Sequence, residues 1–319
     1  MKTGAIILAA GAPGEIQEAK PMLCVGSKPM IKQIVDLLEG LSIRPIVVVA
    51  GYRYDIIGRC LADTGAVIVR NRRFAETDMF ASLKLGITAL KNGCDRAFVF
   101  PADLPLVKPE TLQAMMSCPG DVVKPRHGDT EGHPLLISSS IFPAIEKYEG
   151  AGGLRALLSS LELNTCSVSV EDEGIALEAN SYEEYEKLLR LNAKRSGHGK
   201  LHPCCQIQLA VEDVVMDSDT MQLMEMLQCT GSLQLASELL RVPYTRSWRK
   251  IKNLEAQLGV PIVRSAKGGV KGGGSQLTEQ GTALLEAYQK MCQEFSKMAN
   301  WVFHENFPED FVERLQKMN

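Results

Sequence analysis

The first residues able to do chemistry in this 319-residue chain are Leu8-Ala9-Ala10-Gly11. There an apolar run, Ile6-Ile7-Leu8, ends in small residues whose backbone N–H groups can come close to an anion. Lys20 follows within reach of the same loop. The segment is not a P-loop, because no G-K-[ST] exists, nor a dinucleotide fingerprint, because G-x-G-x-x-G is absent after the strand. A tight strand-to-helix turn would also use such residues. Asp103 follows the apolar run Ala97–Phe100, so it falls at a strand's carboxyl end, where open α/β sheets bind ligands. A hard carboxylate there can ligate Mg²⁺, or it can cap the turn before Pro105. His133 stands between Gly132 and Pro134, and Gly152-Gly153 precedes Arg155, a pattern that suits phosphate contact or a helix start.

The elements positioning these groups alternate. Ala5–Ala10, Ile46–Ala50, Ala66–Val69, Ala97–Phe100, Asp121–Lys124, Pro134–Ser138 and Cys166–Val170 read as strands. Pro29–Glu39, Asp55–Asp63, Met79–Leu90, Pro109–Met116 and Gly153–Leu161 read as helices. This alternation predicts an α/β fold, a doubly wound, mostly parallel sheet. A helix over Tyr182–Leu191 closes it, and polar Asn192 to Lys200 reads as a linker, which divides the chain into domains 1–195 and 200–319. Beyond the linker come helices at Thr220–Gln228, Leu233–Leu240 and Tyr244–Leu258, a glycine-rich hairpin from Pro261 to Leu277, and a long helix from about Thr278.

Apolar content of 45% and charged content of 23% exclude a disordered, collagen-like or coiled-coil chain. Apolar runs such as Ile46–Ala50 are too short to span a bilayer, and no basic-then-apolar segment opens the chain. Nine cysteines form no C-x-x-C pair, and an odd count predicts reduced thiols in a cytoplasmic protein. His198, His202, Cys204 and Cys205 cluster, but their spacing fits no zinc pattern and Leu201 to Leu209 alternates like a strand. Net charge is 35 − 38 = −3, unevenly spread. From Gly231 to Leu277 eight Lys and Arg oppose Glu238 and Glu255, so a short basic segment sits in an acidic chain, as an element that meets nucleic acid would.

Leu8-Ala9-Ala10-Gly11 with Lys20 resembles the opening L-A-A-G-x-x-x-R-M-G-x-x-K of the MobA-like NTP transferases, which include the nucleotidyltransferases of molybdenum cofactor maturation. Further matches follow in the family's order: Asn71 and Phe74 before Met79, Ser82 and Leu83; Asp103-Leu104-Pro105-Leu106-Val107; Gly132-His133-Pro134; and Gly153-Leu154-Arg155. The resemblance implies that Leu8, Ala9, Ala10, Gly11, Lys20 and Ser82 bind nucleotide and that Lys20 and Asp103 are catalytic. It also implies that Gly132, His133, Pro134 and Arg155 bind the second substrate, with His133 binding rather than moving a proton, and that Asp103 and Asn180 hold Mg²⁺. Ala10 resembles the cytidylyl branch, because the guanylyl branch usually reads L-A-G-G; the implied substrates are CTP and a molybdopterin-type cofactor. Three departures stand out. Glu15 replaces the family's arginine and Gln17 a glycine; a unit charge at about 4 Å and an effective dielectric near 20 is worth roughly 4 kcal/mol, so the reversal repels triphosphate unless Arg70, Arg72, Arg73 or Lys28 compensates. Asp78 replaces a glycine before Met79, and Asn180 stands where the family usually has aspartate, although its carbonyl can still ligate magnesium.

In the second half, Gly231-Ser232 precedes the apolar pattern Leu233, Ala236, Leu239 and Leu240, and Arg241-Val242-Pro243 breaks it before the next helix, as in a helix-turn-helix. On that next helix Trp248, Ile251, Leu254 and Leu258 are expected to face the core, and Arg246, Arg249, Lys250 and Asn253 the solvent. The segment resembles the DNA-binding domain of the molybdate-responsive regulator ModE, in the LysR-like winged-helix class. That implies double-stranded DNA as partner through Tyr244, Thr245, Arg246, Arg249 and Lys250, with Lys267 and Lys271 on the wing. Leu284, Leu285, Tyr288, Met291, Cys292 and Phe295 stripe the closing helix, which in this class pairs two chains into a homodimer. Two readings stay open: an active cytidylyltransferase carrying a DNA-binding domain, and a transcription regulator whose transferase pocket only senses nucleotide or cofactor.

Overall fold

A computed structural model describes residues 1–11, 19–26, 28–90, 93–195, 203, 205–266, 274–308, 311 and 314. Glu15, Gln17, His198, His202, Cys204, Lys267 and Lys271 lie outside the described residues. The chain forms two compact units, Met1–Asn192 and Ala193–Asn319.

In the first unit β1 (Thr3–Ala9) leads through a ribbon, β2 (Cys24–Val25) and β3 (Lys28–Pro29), into α1 (Met30–Gly40). There follow β4 (Ile46–Ala50), α2 (Tyr54–Cys60), β5 (Val67–Arg70), α3 (Met79–Leu90), β6 (Arg96–Pro101) and α4 (Pro109–Ser117). The unit continues with β7 (Val122–His127), β8 (Thr130–Glu131), β9 (Leu135–Ser138), α5 (Phe142–Lys147), α6 (Gly153–Ser160), β10 (Thr165–Ser169) and α7 (Tyr182–Arg195). Ends shift from the sequence expectation by four residues or fewer, and α5 was not anticipated because six residues are too few to display a helical period. Helix α7 carries the chain past Asn192, where a linker was expected, to Arg195.

The sheet runs β10-β7-β9-β6-β1-β4-β5, with β8 on β7. β1 pairs in parallel with both β4 and β6; β9 runs antiparallel to β6 and β7, and short β8 antiparallel to β7, so the sheet is mostly parallel as expected. The chain winds outward from β1 through β4 to β5, then crosses back to β6 on the other side. That reversal opens a crevice at the carboxyl ends of β1 and β6, the place where such sheets take ligands. One face buries Ile6, Leu8, Val47, Val49 and Val99 against Phe80, Leu83 and Ile87 of α3 and Leu157 of α6. By the two-residue period Ala5 and Ile7 point to the opposite face, and both are fully buried, so neither face is left to water.

The expectation of nine reduced thiols fails at one pair: Cys118 and Cys166 form a disulfide. Cys118 lies just ahead of β7, and Cys166 of β10 registers with Val123, so pairing of the two strands brings the sulfurs together across 48 residues of chain.

In the second unit β11 (Leu209–Ala210) and β12 (Val214–Met216) precede α8 (Ser218–Thr230), α9 (Leu233–Leu239), α10 (Tyr244–Leu258), the hairpin β13 (Val263–Ala266) and β14 (Gly274–Leu277), and α11 (Glu279–Asn306). Of the strand expected from Leu201 to Leu209, only Leu209 among the described residues lies in a strand, β11. Side-chain caps mark three helix starts: Asp217 accepts from the Thr220 N–H, Ser232 from that of Leu235, and Thr278 from that of Gly281. Leu285 and Tyr288, expected at an interface between chains, are buried within this unit, and the Tyr288 hydroxyl donates to the Ile207 carbonyl. No helix among the described residues is long and apolar enough to cross a membrane.

Candidate functional site

Two cavities open at the crevice. The first, of about 400 Å³, is lined by Leu8, Ala9, Ala10 and Gly11 from the end of β1, by Lys20, by Ser82 of α3, and by Asp103 and Asn180. Tertiary structure thus gathers four separate sequence motifs into one wall. The second, of about 660 Å³, is lined by Gly132, His133 and Arg155, by Lys124 and Glu131, and by apolar side chains including Phe80, Leu135, Leu154 and Leu158. Pro134 does not line it and is buried behind. Leu8, Asp78, Met79 and Pro101 line both cavities, so the two adjoin.

Each side chain is held for a physical reason. Ser82 is 3% exposed, and the Asn71 amide, itself buried, donates to its hydroxyl at 3.1 Å and to Thr77 at 3.0 Å. Gly132 is obligatory, because a Cβ there would stand 2.3 Å from the Ile175 carbonyl oxygen. Gly152 enters α6 at φ +89°, a conformation that suits glycine. Lys20 donates to the Asn180 Oδ1 at 3.1 Å. Asn180 is brought there by α7, whose Tyr185, Leu188 and Leu191 pack on Leu23, Val25 and Met30 beside the ribbon.

Burial raises the Asp103 carboxyl above the ordinary carboxylate range; Glu178 and Glu184 push it further, while a backbone hydrogen bond and Lys20 oppose the rise. Burial lowers His133, opposed by Glu178 and assisted by Arg155 and Lys124, and its Nδ1 is buried without a partner among the described residues. A neutral imidazole with an unanswered ring nitrogen suits recognition of a polar group better than charge pairing. Lys20 is the sole cation lining the first cavity among the described residues. The cations suggested as compensation for Glu15 do not line it: Lys28 pairs with Asp36 at 2.5 Å, Arg73 with Glu76 at 3.1 Å, and Arg70 lies over the Tyr54 ring. Arg72 is not in its lining either.

The match to a family model covers residues 5–165, half of the chain, under the description MobA-like NTP transferase domain. The chain belongs to this family. Its first unit therefore has the nucleotidyltransferase fold, and solved structures agree: "A nucleotidyl transferase from Methanothermobacter thermautotroptrophicus (Mth528)" overlays with TM-score 0.54 at 20% identity, covering 61% of this chain and 99% of that one. Rv0371c from Mycobacterium tuberculosis, in complex with manganese, overlays with TM-score 0.50 at 21% identity over 59% of this chain and 98% of that one. Among curated relatives, the molybdenum-pterin-binding protein MopB of Rhodobacter capsulatus is 29% identical over 92 residues, which is 27% of this chain and 34% of MopB. The chain spans less than half the length of the curated relatives it matches.

Sequence reasoning missed Tyr52, Ala75 and Thr77 in the first cavity and Lys124 and Glu131 in the second. Lys124 and Glu131 pair at 3.1 Å and sit on neighbouring strands, a relation that no linear spacing announces.

On α10 Ile251 and Leu254 are buried and Arg246, Arg249 and Asn253 exposed as expected, but Trp248 is not in the core. Ser247, Ile251 and Leu254 are buried, whereas Trp248 is 43% exposed, stacks on Tyr244 and carries Lys252 over its ring. Position 247 continues the stripe of 251 and 254 as well as 248 does, and a small serine lets the helix pack closely where a tryptophan would not. Thr245, Arg246 and Arg249 are exposed, Arg246 within 3.9 Å of Asp219; Lys250 is half-buried and pairs with Asp217 at 2.9 Å and Asp219 at 3.4 Å.

Proposed function

We propose that the first unit transfers a cytidylyl group from CTP to a molybdopterin-type cofactor, releasing pyrophosphate. The observation that carries this is the meeting of the two cavities at Leu8, Asp78, Met79 and Pro101, one with Lys20 and Asp103, the other with Lys124 and Arg155. Nucleotide in the first and an acceptor phosphate in the second stand within reach for in-line displacement. An acceptor phosphate oxygen bonds to the α-phosphorus, the bond to the β-phosphate oxygen breaks, and no protein base is required. Lys20 offsets charge on the leaving pyrophosphate, and Arg155 and Lys124 draw the acceptor phosphate in.

The donors present fit a divalent cation, for which Mg²⁺ is the natural choice. Asp103 is a hard oxygen ligand among other carboxylates, and the Asn180 carbonyl stands with it in the cavity wall. Mg²⁺ is usually held by one or two carboxylates plus substrate phosphates. Such an ion would neutralise triphosphate charge. Ala10 in place of the guanylyl branch's glycine supports CTP over GTP. Pyrophosphate release with CTP, GTP and ATP in the presence of molybdopterin tests this. Release with CTP alone supports it, and release with none while CTP still binds favours the second reading, a sensor of nucleotide or cofactor, to which Glu15 points.

The second unit is read as a winged helix-turn-helix that binds double-stranded DNA. Helices α9 and α10, the following hairpin, and exposed Tyr244, Thr245, Arg246 and Arg249 support this. A homodimer is supported by the far half of α11, where Phe295, Met298, Trp301 and Val302 are 44–65% exposed.

A further inference from the structure

Asn180 is exposed, so packing does not choose the orientation of its amide. Its hydrogen bonds do. The Lys20 ammonium can only donate, so it pairs only with the oxygen end, which accepts from it at 3.1 Å. The other end of the amide needs an acceptor, and the Glu178 carboxylate takes a hydrogen bond from Asn180 Nδ2 at 3.0 Å. The backbone is fixed separately. Asn180 N–H donates to Glu184 Oε2 at 3.0 Å, while the Glu184 N–H donates to Ser181 Oγ at 3.2 Å, two side-chain caps at the start of α7. The caps set where Asn180 sits, and Glu178 sets which way its amide faces.

We propose that Glu178 is a positioning residue of the transfer site: by accepting from the Asn180 amide nitrogen it holds the carbonyl oxygen toward Lys20 and toward the cation that Asp103 and Asn180 would share. The chain has asparagine where its family usually has aspartate, and Glu178 is what makes that exchange workable. A carboxylate at position 180 presents an oxygen in either orientation, whereas an amide presents one only when its nitrogen is occupied elsewhere. This inference rests on the reading of Asp103 and Asn180 as cation ligands.

The test uses the full-length protein and Mn²⁺ alone, its binding read by electron paramagnetic resonance. Glu178→Ala should weaken Mn²⁺ binding about tenfold, as loss of an outer-shell partner does, while Glu178→Gln, whose carbonyl still accepts, should remain within about threefold of the parent. In an Asn180→Asp background Glu178→Ala should have no weakening effect. Nitrogen–proton correlation spectra without metal should show the Asn180 side-chain amide displaced by Glu178→Ala and unmoved by Glu178→Gln. Equal weakening by Ala and Gln, or equal weakening in both backgrounds, would show that Glu178 acts by charge and would overturn the proposal. Asp103→Ala separates the two levels: if it leaves Mn²⁺ binding intact, the cation site itself is misread; if it abolishes binding while every Glu178 variant behaves as the parent, only the positioning role fails.

Discussion

Asp103 carries opposite demands on stability and chemistry. Its carboxyl is held above the ordinary carboxylate range, chiefly by burial, so the folded state keeps the proton more tightly than the unfolded chain. Stability contributed by this group is fully present below the unfolded value and is lost as pH rises through the folded value. Asp103→Asn should therefore raise the thermal midpoint at pH 7, the gain fading below the ordinary carboxylate range, while nucleotide transfer is lost. A calorimetric pH series showing no gain at neutral pH would contradict the burial account. Glu15 is the other residue with a charge argument. Glu15→Arg should tighten CTP binding by removing a repulsion near the triphosphate, and titration calorimetry showing an unchanged or weaker dissociation constant would mean that the loop does not meet the nucleotide.

At the scale of elements, α8 and α10 are joined by a cap rather than by apolar contact alone. Burial raises the Asp217 carboxyl, but hydrogen bonds from Thr220 and Lys250 outweigh it and leave the group below its ordinary value. Stability from this group is present above the unfolded value and lost as pH falls through the folded one. Asp217→Ala should cost about 1 kcal/mol, the usual worth of a helix cap, and chemical denaturation should show the cost shrinking in acid. The same pairing assigns Lys250 to the fold, so Lys250→Ala should destabilise modestly. Arg249→Ala, on the exposed face, should leave stability unchanged and alter which DNA sequences bind. Gel shifts on a randomised duplex pool, beside melting curves, separate the two effects.

At the scale of the whole molecule two units with different charge lie on one chain. A fragment from about residue 201 onward should bind duplex DNA with steep salt dependence, because several Lys and Arg displace condensed counterions. Replacing both Lys267 and Lys271 by Ala should lower binding on every sequence and flatten the salt slope. Absence of a retarded complex even at low salt would remove the DNA-binding half of the proposed function. Trp301→Glu with Met298→Glu should convert a dimer to monomer in light scattering without lowering the thermal midpoint, since both side chains are exposed within the chain.

The sheet and its helices were legible in the sequence, and Leu8, Ala9, Ala10, Gly11, Lys20, Ser82, Asp103 and Asn180, singled out there, line one cavity. Strand and helix periods are local, and Leu8 to Gly11, Lys20, Asp103 and Arg155 sit in short segments that carry a family resemblance. What needed the tertiary structure depends on distances that sequence separation does not encode. The pairing of β7 with β10 joined Cys118 to Cys166, and the side-by-side placement of two cavities made Asp78 a shared wall residue. On α10 Ile251 and Leu254 fill the core as the period requires, but at its first turn only the packing space decides between a serine and a tryptophan, and Ser247 takes the buried place expected of Trp248. Lys250 looked like a surface cation because its partners, Asp217 and Asp219, lie on another helix more than thirty residues away. Local sequence sets which elements form and what chemistry each bears; which charges are spent on the fold is settled only when elements meet.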